Sequence, residues 1–373
     1  MAGSSIGTLF RITTWGETHG EGLGVVVDGC PAGLPISKED IQQYLNRRKP
    51  GQSKYTTPRK EDDQAEILSG VFEGKTTGTP ISMAVYNKNQ RSRDYSQIRD
   101  VYRPGHADYT YDAKYGIRDY RGGGRSSGRE TIGRVAAGAV AVKLLKELGI
   151  TVTAYAKEIG GITADEKRFD LEEIFRNPFY MPDREAALKV QEYADRMMRE
   201  QDSMGGIIEC TVQGLKPGIG DPVFEKLDAN LAKAVLSIGA VKGFEIGDGF
   251  AAASSCGSQN NDAYEYREGG FVKKTNHSGG VLGGISDGSP LVFRAAVKPT
   301  PSIAKVQSTA GKDGKDFDLS IGGRHDPMIV PRAVVVVESM AAVTIADGLL
   351  MNLSASMDSV KKNIRVMVNI CIS

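Results

Sequence analysis

The segment RGGGRSSGRETIGR at residues 121–134 combines residue types that bind anions. Arg125 and Arg129 offer fork-shaped guanidinium donors, which suit phosphate and carboxylate groups. Ser126 and Ser127 add hydroxyl donors, and the glycines let an oxyanion approach the backbone. Because an apolar helix is predicted to follow directly, its unpaired N–H groups and partial positive charge would face the same place. The segment therefore predicts a phosphate or carboxylate site at a helix N-terminus.

Two familiar phosphate-binding motifs do not describe this segment. The lysine of a P-loop is missing, and the glycine spacing does not fit a dinucleotide-binding fingerprint. An RNA-binding tail of the RGG type is disfavoured because the segment runs into a buried helix. A solvated or salt-bridged arginine face stays open as an alternative, although only Asp119 and Glu130 accompany five arginines there. These five are Arg118, Arg121, Arg125, Arg129 and Arg134.

All four histidines of the chain lie in loops that contain glycine, and none lies on an apolar helix face. They are His19 in GETHG, His106 in RPGHAD, His277 in TNHSGG and His325 in GGRHDP. An imidazole changes charge near neutral pH, so this placement favours at least one acid–base role over four structural roles. Metal binding is disfavoured because no HxxxH or HxH spacing occurs.

The composition of the chain indicates that any anion site must be local. Its 373 residues carry a formal net charge of +1, which argues against a protein that coats nucleic acid through bulk charge. The four cysteines form no CxxC pair and are expected to be reduced and buried. The apolar stretch 333–351 contains Glu338 and Asp347 and is a poor membrane span, and no signal-peptide core is present. We therefore expect a cytoplasmic globular protein without nucleic-acid or membrane partners.

The elements that must position these residues are predicted from periodicity and from capping signals. Ser37 and Asp40 indicate a helix start, Gly149 a helix end, and Pro222 a first helical turn. Helices are expected at about 37–47, 130–148, 183–200, 222–236 and 332–350. Strands are expected within 6–29 and at 64–72 and 79–86, with strand or loop at 314–321. Segments 49–64 and 87–130 are predicted loops, and the length of the second favours a functional role.

Two segments of the chain are similar to each other. GVFEGKTTGTP at 70–80 and GVLGGISDGSP at 280–290 share glycines, a valine and a proline in one register. A GGR and a later arginine, Arg134 or Arg332, follow each segment and precede an apolar helix. Chance similarity in a glycine-rich chain is one explanation. The other is a single domain, residues 1–373, with a pseudo-twofold internal repeat at about 70–148 and 280–350 and both arginine loops at one cleft.

Eight segments of the chain resemble the motifs of the chorismate synthase family, over about residues 5–350. They are GETHGEGLGVVVDGCP, RRKPGQSKYTTPR, RPGHADYTYDAKYG, RGGGRSSGRET, SIGAVKGFEIGDGF, HSGGVLGGIS, AVKPTPSI and GGRHDP. The resemblance implies the class α/β (α+β), as a β-α-β sandwich with internally duplicated units and buried helices between antiparallel sheets. It also implies assembly as a homotetramer.

The same resemblance implies a reaction. The family converts 5-enolpyruvylshikimate 3-phosphate into chorismate and phosphate by an anti 1,4-elimination, which needs reduced FMN but has no net redox change. This step is the last common one of the shikimate pathway, before the aromatic amino acids, and makes the chain a carbon–oxygen lyase. Some members also reduce their flavin with NADPH. Because this chain has no evident large insertion, an external flavin reductase is its expected partner.

Family positions give each site residue an expected role. His19 is expected to protonate the leaving phosphate, His106 to protonate reduced flavin near N1, and Asp326 to assist at N5. Contacts to substrate or NADP are expected from Arg48, Lys54 and Arg129. The expected flavin-binding residues are Arg125, Ser126, Ser127, Gly239, Ala240, Gly283, Lys298, Pro299, Thr300, Pro301, Ser302 and Arg324. The resemblance implies no metal.

The chain departs from the family pattern at several positions. Thr18 replaces a usual serine, Lys54 replaces a usual arginine and loses its bidentate fork, and Gly239 replaces a frequent asparagine. We expect these replacements to affect the affinity for flavin more than any other property. Two other functions stay open: a different enzyme dependent on FMN or a nucleotide, and a non-enzymatic protein that binds anions or RNA, with binding that falls steeply with salt.

Overall fold

The computed structural model describes residues 3–57, 61–88, 98–321 and 326–372, which contain eight α-helices and eighteen strands. The helices are α1 Lys38–Arg48, α2 Asp108–Tyr115, α3 Thr131–Glu147, α4 Arg184–Arg199, α5 Leu227–Leu236, α6 Gly257–Asn260, α7 Val330–Asn352 and α8 Met357–Ile372. The strands are β1 Ser5–Ile6, β2 Arg11–Gly16, β3 Gly22–Asp28, β4 Glu66–Ile67, β5 Val71–Phe72, β6 Lys75–Thr76, β7 Ile81–Tyr86, β8 Thr151–Ile159, β9 Ile162–Thr163, β10 Gly206–Gln213, β11 Val241–Ile246, β12 Tyr264–Arg267, β13 Gly270–Lys273, β14 Val281–Leu282, β15 Ile285–Ser286, β16 Leu291–Val297, β17 Gln307–Ala310 and β18 Asp316–Leu319.

Two five-stranded antiparallel sheets form the outer layers of the molecule. The first has strand order β1-β2-β3-β7-β4, and the second has order β11-β16-β10-β8-β9. In the second sheet, β10 pairs with both β8 and β16, so that Gly206 lies opposite Ile159 on one side and Val297 on the other. The pairs β5–β6, β12–β13, β14–β15 and β17–β18 are separate hairpins. Antiparallel sheets of this kind bury one face, which here faces the helices.

Helices α3 and α7 form the layer between the two sheets. Helix α3 packs on β2, β3 and β7 of the first sheet, α7 packs on β8 and β10 of the second, and the two helices pack against each other. Helix α1 contacts both central helices, and α5 contacts α7 and β11. Both central helices are apolar on nearly every side, because protein surrounds them on every side. This arrangement confirms the expected β-α-β sandwich with buried helices between antiparallel sheets.

The two acidic residues of α7 find partners inside the protein. Glu338 accepts hydrogen bonds from both Nη atoms of Arg47, at 2.7 and 2.9 Å, and from the backbone N–H of Ala154 at 3.2 Å. Asp347 accepts three successive backbone N–H groups, at residues 8–10. By length and hydropathy α7 could cross a membrane, but most of it is buried in the sandwich. Helix α7 is therefore a core helix whose acidic groups are satisfied by hydrogen bonds.

The local signals at the ends of two helices are confirmed. At the start of α1, the Ser37 hydroxyl accepts the N–H of Asp40 at 3.2 Å, and the Asp40 carboxylate accepts the N–H of Ser37 at 2.9 Å. At the end of α3, Gly149 has φ +73, and the N–H of Ile150 returns to the carbonyl of Leu145 at 2.9 Å. These are a capping box and a glycine-terminated helix end, as the sequence predicts.

Three predicted elements are wrong. Helix α5 begins at Leu227 rather than near Pro222, because Val223 adopts φ +81, which a right-handed helix excludes. The predicted strand 64–72 is divided: β4 joins the first sheet, whereas β5 pairs only with β6. The predicted loop 87–130 contains α2, which the sequence hides because only its first residue, Asp108, is buried and no apolar stripe results.

The cysteines differ from the prediction in one case. Cys30 and Cys210 are buried, and burial raises the pKa of the Cys30 thiol to about 11. Cys256 is exposed, because it lies in the loop that precedes the short helix α6. The side chain of Cys371 lies outside the described part of the chain.

Each of the two similar segments forms a hairpin, and a strand and a central helix follow, although α2 lies between them in the first copy and β17–β18 in the second. Hairpin β5–β6 precedes β7 and then α3, and hairpin β14–β15 precedes β16 and then α7. In the first hairpin, the buried Thr76 hydroxyl donates to the carbonyl of Pro31 at 2.6 Å and accepts the N–H of Leu34 at 3.0 Å. This hydroxyl joins the hairpin to the chain that follows β3.

The second hairpin repeats that pair of bonds. The buried Ser286 hydroxyl donates to the carbonyl of Lys216 at 2.7 Å and accepts the N–H of Ile219 at 2.9 Å. In both hairpins the two partners are three residues apart, and they follow β3 in one case and β10 in the other. These matches support the predicted internal repeat, which stays a prediction.

Gly138 allows α3 and α7 to touch, and its replacement is expected to destabilise the fold. A Cβ at this position would lie 2.2 Å from the Cβ of Ser339. We expect Gly138→Ala to lower the free energy of unfolding by about 1–3 kcal/mol, in spite of alanine's helix propensity, as measured by urea denaturation. Gly348→Ala is the control, because the nearest atom there is a methyl of Ile219 at 3.1 Å. Equal unfolding free energies in the two variants would contradict the expected clash.

Candidate active site

A cavity of about 1390 Å³ lies where the N-terminal ends of α3 and α7 meet the C-terminal end of α1. Residues of segment 122–129 and of the loops 103–107 and 298–302 form much of the remaining wall. Small-molecule sites usually measure about 300–1,000 Å³. The cavity therefore has room for more than one ligand.

The cavity wall carries an excess of positive charge. Among the described residues that line it, nine are basic and three are acidic. The basic residues are Arg48, Arg103, Lys114, Arg125, Arg129, Arg134, Lys233, Lys298 and Arg332, and the acidic ones are Glu61, Glu130 and Asp326. Because the whole chain has a net charge of only +1, the positive charge is concentrated at this place. An anionic ligand is the chemical complement of such a wall.

Arg125 is held against strand β2 at one side of the cavity. Its Nη2 donates to the hydroxyl of Thr14 at 2.6 Å, and its Nη1 donates to the carbonyl of Gly16 at 3.2 Å. Ser126 and Ser127 line the cavity beside it, in the two short turns that precede α3. The neutral partners of Arg125 leave its positive charge uncompensated by a direct carboxylate contact among the described residues.

Asp63 joins two buried arginines at another part of the wall. Its Oδ2 accepts from Nη1 of Arg48 at 2.9 Å, and its Oδ1 accepts from Nη1 of Arg129 at 2.8 Å. Burial lowers the pKa of Arg48 to about 9; the charges of Arg332 and Arg129 act in the same direction, whereas Asp63 opposes them. The lowered pKa reflects cations gathered in a place that water does not screen well.

Asp326 and Arg332, which follow the second GGR in the sequence, also line the cavity. Nη1 of Arg332 donates to Oδ2 of Asp326, and its Nε donates to the carbonyl of Arg48 at 3.0 Å. Oδ1 of Asp326 accepts the N–H of Thr57 at 2.8 Å. Asp326 and Arg332 thus line the same cavity as Arg125. That both arginine loops share one cleft stays a prediction.

His106 lies at the cavity and forms a hydrogen bond with Ser302. The distance from its Nε2 to the serine Oγ is 2.8 Å, and the tautomer decides which atom donates. Nζ of Lys298 donates to the carbonyl of Gly105 at 2.7 Å, which ties the two loops together. Burial lowers the pKa of Lys298, and the charge of Lys242 adds to the effect.

The loop that carries His106 is anchored by a buried ion-pair network. Nε and Nη2 of Arg103 donate to the carboxylate of Asp108 at 2.7 and 2.8 Å, and Nη1 of Arg118 lies 2.9 Å from it. Burial acts to raise the pKa of Asp108, but the hydrogen bonds from Arg103 and the charge of Arg118 outweigh it and hold that pKa below its usual value. This network fixes His106 at the start of α2.

His19 lies behind the cavity wall rather than in it. The residue is buried, with 8% exposure, and its ring contacts the backbone of Gly122, which lines the cavity. A Cβ on Gly122 would lie 2.7 Å from Cδ2 and 2.8 Å from Nε2 of His19. His19 therefore packs beside a residue of the cavity wall that has φ +74.

Most of the site residues predicted from the sequence line this cavity. They are Arg48, His106, Arg125, Ser126, Ser127, Arg129, Gly239, Ala240, Lys298, Thr300, Pro301, Ser302 and Asp326. Arg324, which was expected to contact flavin, and His325 lie outside the described residues. The roles of all these residues stay predictions.

Three other predicted residues lie away from the cavity wall. The side chain of Lys54 is 60% exposed and pairs with Asp195 of α4 at 2.9 Å. Gly283 lies in the turn between β14 and β15, and Pro299 lies in the 298–302 loop without lining the cavity. The departure from the usual arginine at position 54 thus falls on an exposed side chain.

Several residues that the sequence analysis did not assign to the site also line the cavity. Arg134 and Arg332 had a signal, because each follows a GGR in the internal repeat. Arg103 stands beside His106 in RPGHAD, whereas no motif marks Lys233 on α5. Asp63 does not line the cavity, and its role depends on contacts that the sequence does not reveal.

Comparisons with known proteins agree with the fold. A model of the family described as chorismate synthase matches residues 10–350. The chorismate synthase of Lachnospira eligens is 68% identical over 362 residues, which cover 97% of this chain and 99% of the relative. That of Methanococcoides burtonii is 55% identical over 353 residues, which cover 94% and 96%. A crystal structure of chorismate synthase matches with a TM-score of 0.76 and 34% identity, covering 98% of both chains.

The family model and the relatives that match place the chain in the lyase class of enzymes. The chain belongs to the chorismate synthase family, whose members carry out the last common step of the shikimate pathway. Family and class are those that the eight sequence motifs predict.

Gly122→Ala is expected to damage the wall between His19 and the cavity. The new Cβ would collide with the imidazole, and the left-handed backbone would cost roughly 1–2 kcal/mol. We expect both lower thermal stability and a fall in turnover. Gly74→Ala is a matched control, because Gly74 has φ +75 but no atom within 4 Å of the new Cβ. If both variants turned over equally fast, the Gly122 backbone would not constrain His19.

Proposed function

We propose that this enzyme converts 5-enolpyruvylshikimate 3-phosphate into chorismate and phosphate, by an anti 1,4-elimination that requires reduced FMN. The observation that carries the proposal is a cavity lined by nine basic and three acidic residues in a nearly neutral chain. The substrate carries two carboxylates and a phosphate, and FMN carries a further phosphate. These ligands repel each other strongly at low dielectric, and guanidinium groups offset that repulsion.

The described residues of the cavity fit a flavin. A Cβ on Gly128 or Gly239 would meet no protein atom within 4 Å, so a ligand can approach the backbone there closely. The residues that would hold FMN are Arg125, Ser126, Ser127, Gly239, Ala240, Lys298, Thr300, Pro301 and Ser302. Bound reduced FMN would supply electron density that assists the departure of phosphate without net redox change.

Arg48 and Arg129 would bind an anionic group of the substrate. Both line the cavity, both are buried, and Arg332 lies beside Arg48. Lys54 fits this role less well, because its ammonium group faces Asp195 on the surface. We therefore assign the substrate contact to the arginines and leave Lys54 outside the cavity.

Three groups would handle protons. His106 would hold or release a proton at Nε2, the atom that forms the hydrogen bond with the Ser302 hydroxyl. His19, beside Gly122 of the cavity wall, would deliver a proton to the leaving phosphate. Asp326 would assist from a carboxylate that two hydrogen bonds hold in place.

The enzyme is proposed to act in the cytoplasm as a homotetramer, with reduced FMN supplied by an external flavin reductase. Gly283 lies away from the cavity of its own chain, so its expected contact with flavin requires a neighbouring copy. We also propose that the single domain consists of two related units, since the hydroxyls of Thr76 and Ser286 make equivalent hydrogen bonds.

Anaerobic turnover tests the proposed reaction. The pure protein with 5-enolpyruvylshikimate 3-phosphate and photoreduced FMN should form chorismate, followed by its absorbance, while the flavin stays reduced. Oxidation of one flavin per product would favour a different FMN-dependent enzyme. In air, NADPH and FMN without an added reductase should give no steady chorismate formation, and steady formation would refute the need for an external reductase.

Substitution of the two site histidines should lower the rate of the same reaction. We expect His19→Ala and His106→Ala each to reduce turnover by about 10²–10⁴-fold at saturating reduced FMN, because each removes an acid–base group. His277→Ala is the control, since His277 pairs with Asp248 at 2.7 Å outside the cavity. Turnover within a few-fold of wild type in either site variant would refute that residue's assignment.

A further inference from the structure

We propose that Asp63 is a positioning residue that holds Arg48 and Arg129 as one paired clamp for an anionic group of the substrate. This inference rests on the proposed function and extends it to a residue that does not itself line the cavity. Asp63 would act through the two arginines, without touching the substrate.

The geometry gives each oxygen of Asp63 its own guanidinium. Oδ2 accepts from Arg48 at 2.9 Å and Oδ1 accepts from Arg129 at 2.8 Å, and the side chain has no solvent exposure. One rigid carboxylate therefore fixes the distance between two cations that come from different elements, the end of α1 and the turn before α3. The carboxylate also offsets the repulsion between these two like charges.

The hydrogen bonding of this cluster is incomplete. Nε, Nη1 and Nη2 of Arg48 all have acceptors among the described residues, and a buried cluster that served stability alone would satisfy Arg129 in the same way. Nη2 of Arg129 is buried and makes no hydrogen bond to any described residue; the Glu61 carboxylate, which also lines the cavity, lies 3.9 Å away. The unused donor lies on a residue of the cavity wall, so a ligand anion is the group that completes it.

The backbone at Asp63 is strained and is held in place. Its φ is +44, in the left-handed region that few residues other than glycine adopt. The amide of Gln42, on α1, donates to the carbonyl of Asp63 at 3.3 Å and accepts the N–H of Ala65 at 3.0 Å. Helix α1 thus supports the turn of Asp63 and also carries Arg48, and strain held in this way is typical of functional sites.

Positioning and simple charge predict opposite effects for Asp63→Asn. The variant keeps the shape and tolerates the left-handed backbone, since asparagine adopts it readily. It removes a negative charge near the cavity, which by charge alone would tighten the binding of an anion. If Asp63 positions the arginines, binding must weaken instead, because the amide NH₂ cannot accept a hydrogen bond and one guanidinium loses its place.

The test measures steady-state kinetics and binding with the full chain and reduced FMN. We expect Asp63→Asn to raise the KM for 5-enolpyruvylshikimate 3-phosphate by about ten-fold to a hundred-fold, the range of one charge-assisted hydrogen bond, and to change the KM for FMN little. Gln42→Ala should raise the same KM to a smaller extent. It also serves as the second variant if Asp63→Asn does not fold.

Asp183→Asn is the matched control for lost stability. Asp183 is also a buried carboxylate, and it holds Arg168 at 2.7 Å away from the cavity. Its substitution should lower the melting temperature without raising the KM for substrate. An unchanged or lower KM in Asp63→Asn, or an equal rise in Asp183→Asn, would overturn the inference. Absence of chorismate formation by the wild-type protein would instead refute the proposed function.

Discussion

Guanidinium groups repel one another inside a protein, and this structure gathers six of them around one cavity. It tolerates the repulsion because every one of these arginines has a hydrogen-bond acceptor. Arg48 and Arg129 share Asp63, Arg103 has Asp108, Arg125 has Thr14 and Gly16, Arg134 has Glu130, and Arg332 has Asp326. The acceptors hold the guanidinium groups in place but do not neutralise all of their charge. The cavity wall therefore keeps a net positive charge that an anionic ligand can neutralise. The fold has to keep these partners at fixed distances.

The sandwich meets that requirement by placing two helices back to back. Helices α3 and α7 each follow an equivalent hairpin and strand, and both begin at the cavity. Arginines from two distant parts of the sequence therefore meet at neighbouring helix starts. The apolar layer between the sheets fixes the helices, and the helix starts carry the charged groups.

Local sequence signals predicted much of this arrangement, and long-range contacts account for most of what they missed. The capping box at Ser37 and the glycine run of the arginine loop are local, and both lie where they were expected. The burial of His19 behind Gly122 depends on contacts between distant segments, as does the pairing of Lys54 with Asp195. Family motifs give the identity of a site residue, but they do not give the direction of its side chain.

The short strands and α2 were harder to predict for a related reason. Strands β4 and β5 are two residues long and belong to different sheets. Each is too short to show the alternation of apolar and polar residues that marks a strand. The fold class itself came from resemblance to a family, since periodicity alone reached only a mixed α/β protein. The role of Asp63 could not be predicted for the same reason, because a single aspartate in a polar loop forms no sequence motif.

The contact between Gly138 and Ser339 has an effect beyond the core. Gly138 lies seven residues after Thr131 on α3, and Ser339 lies seven residues after Arg332 on α7. Thr131 and Arg332 both line the cavity, and seven residues span about 10 Å along a helix axis. Helix α7 also lines the cavity at Val336 and Met340, on either side of Ser339, so its packing against α3 sets part of the cavity wall. A larger side chain at position 138 would displace that wall, and a displacement of about 1 Å in an active site can slow a reaction about a hundred-fold. The rate of this enzyme can thus depend on a glycine that does not itself line the cavity.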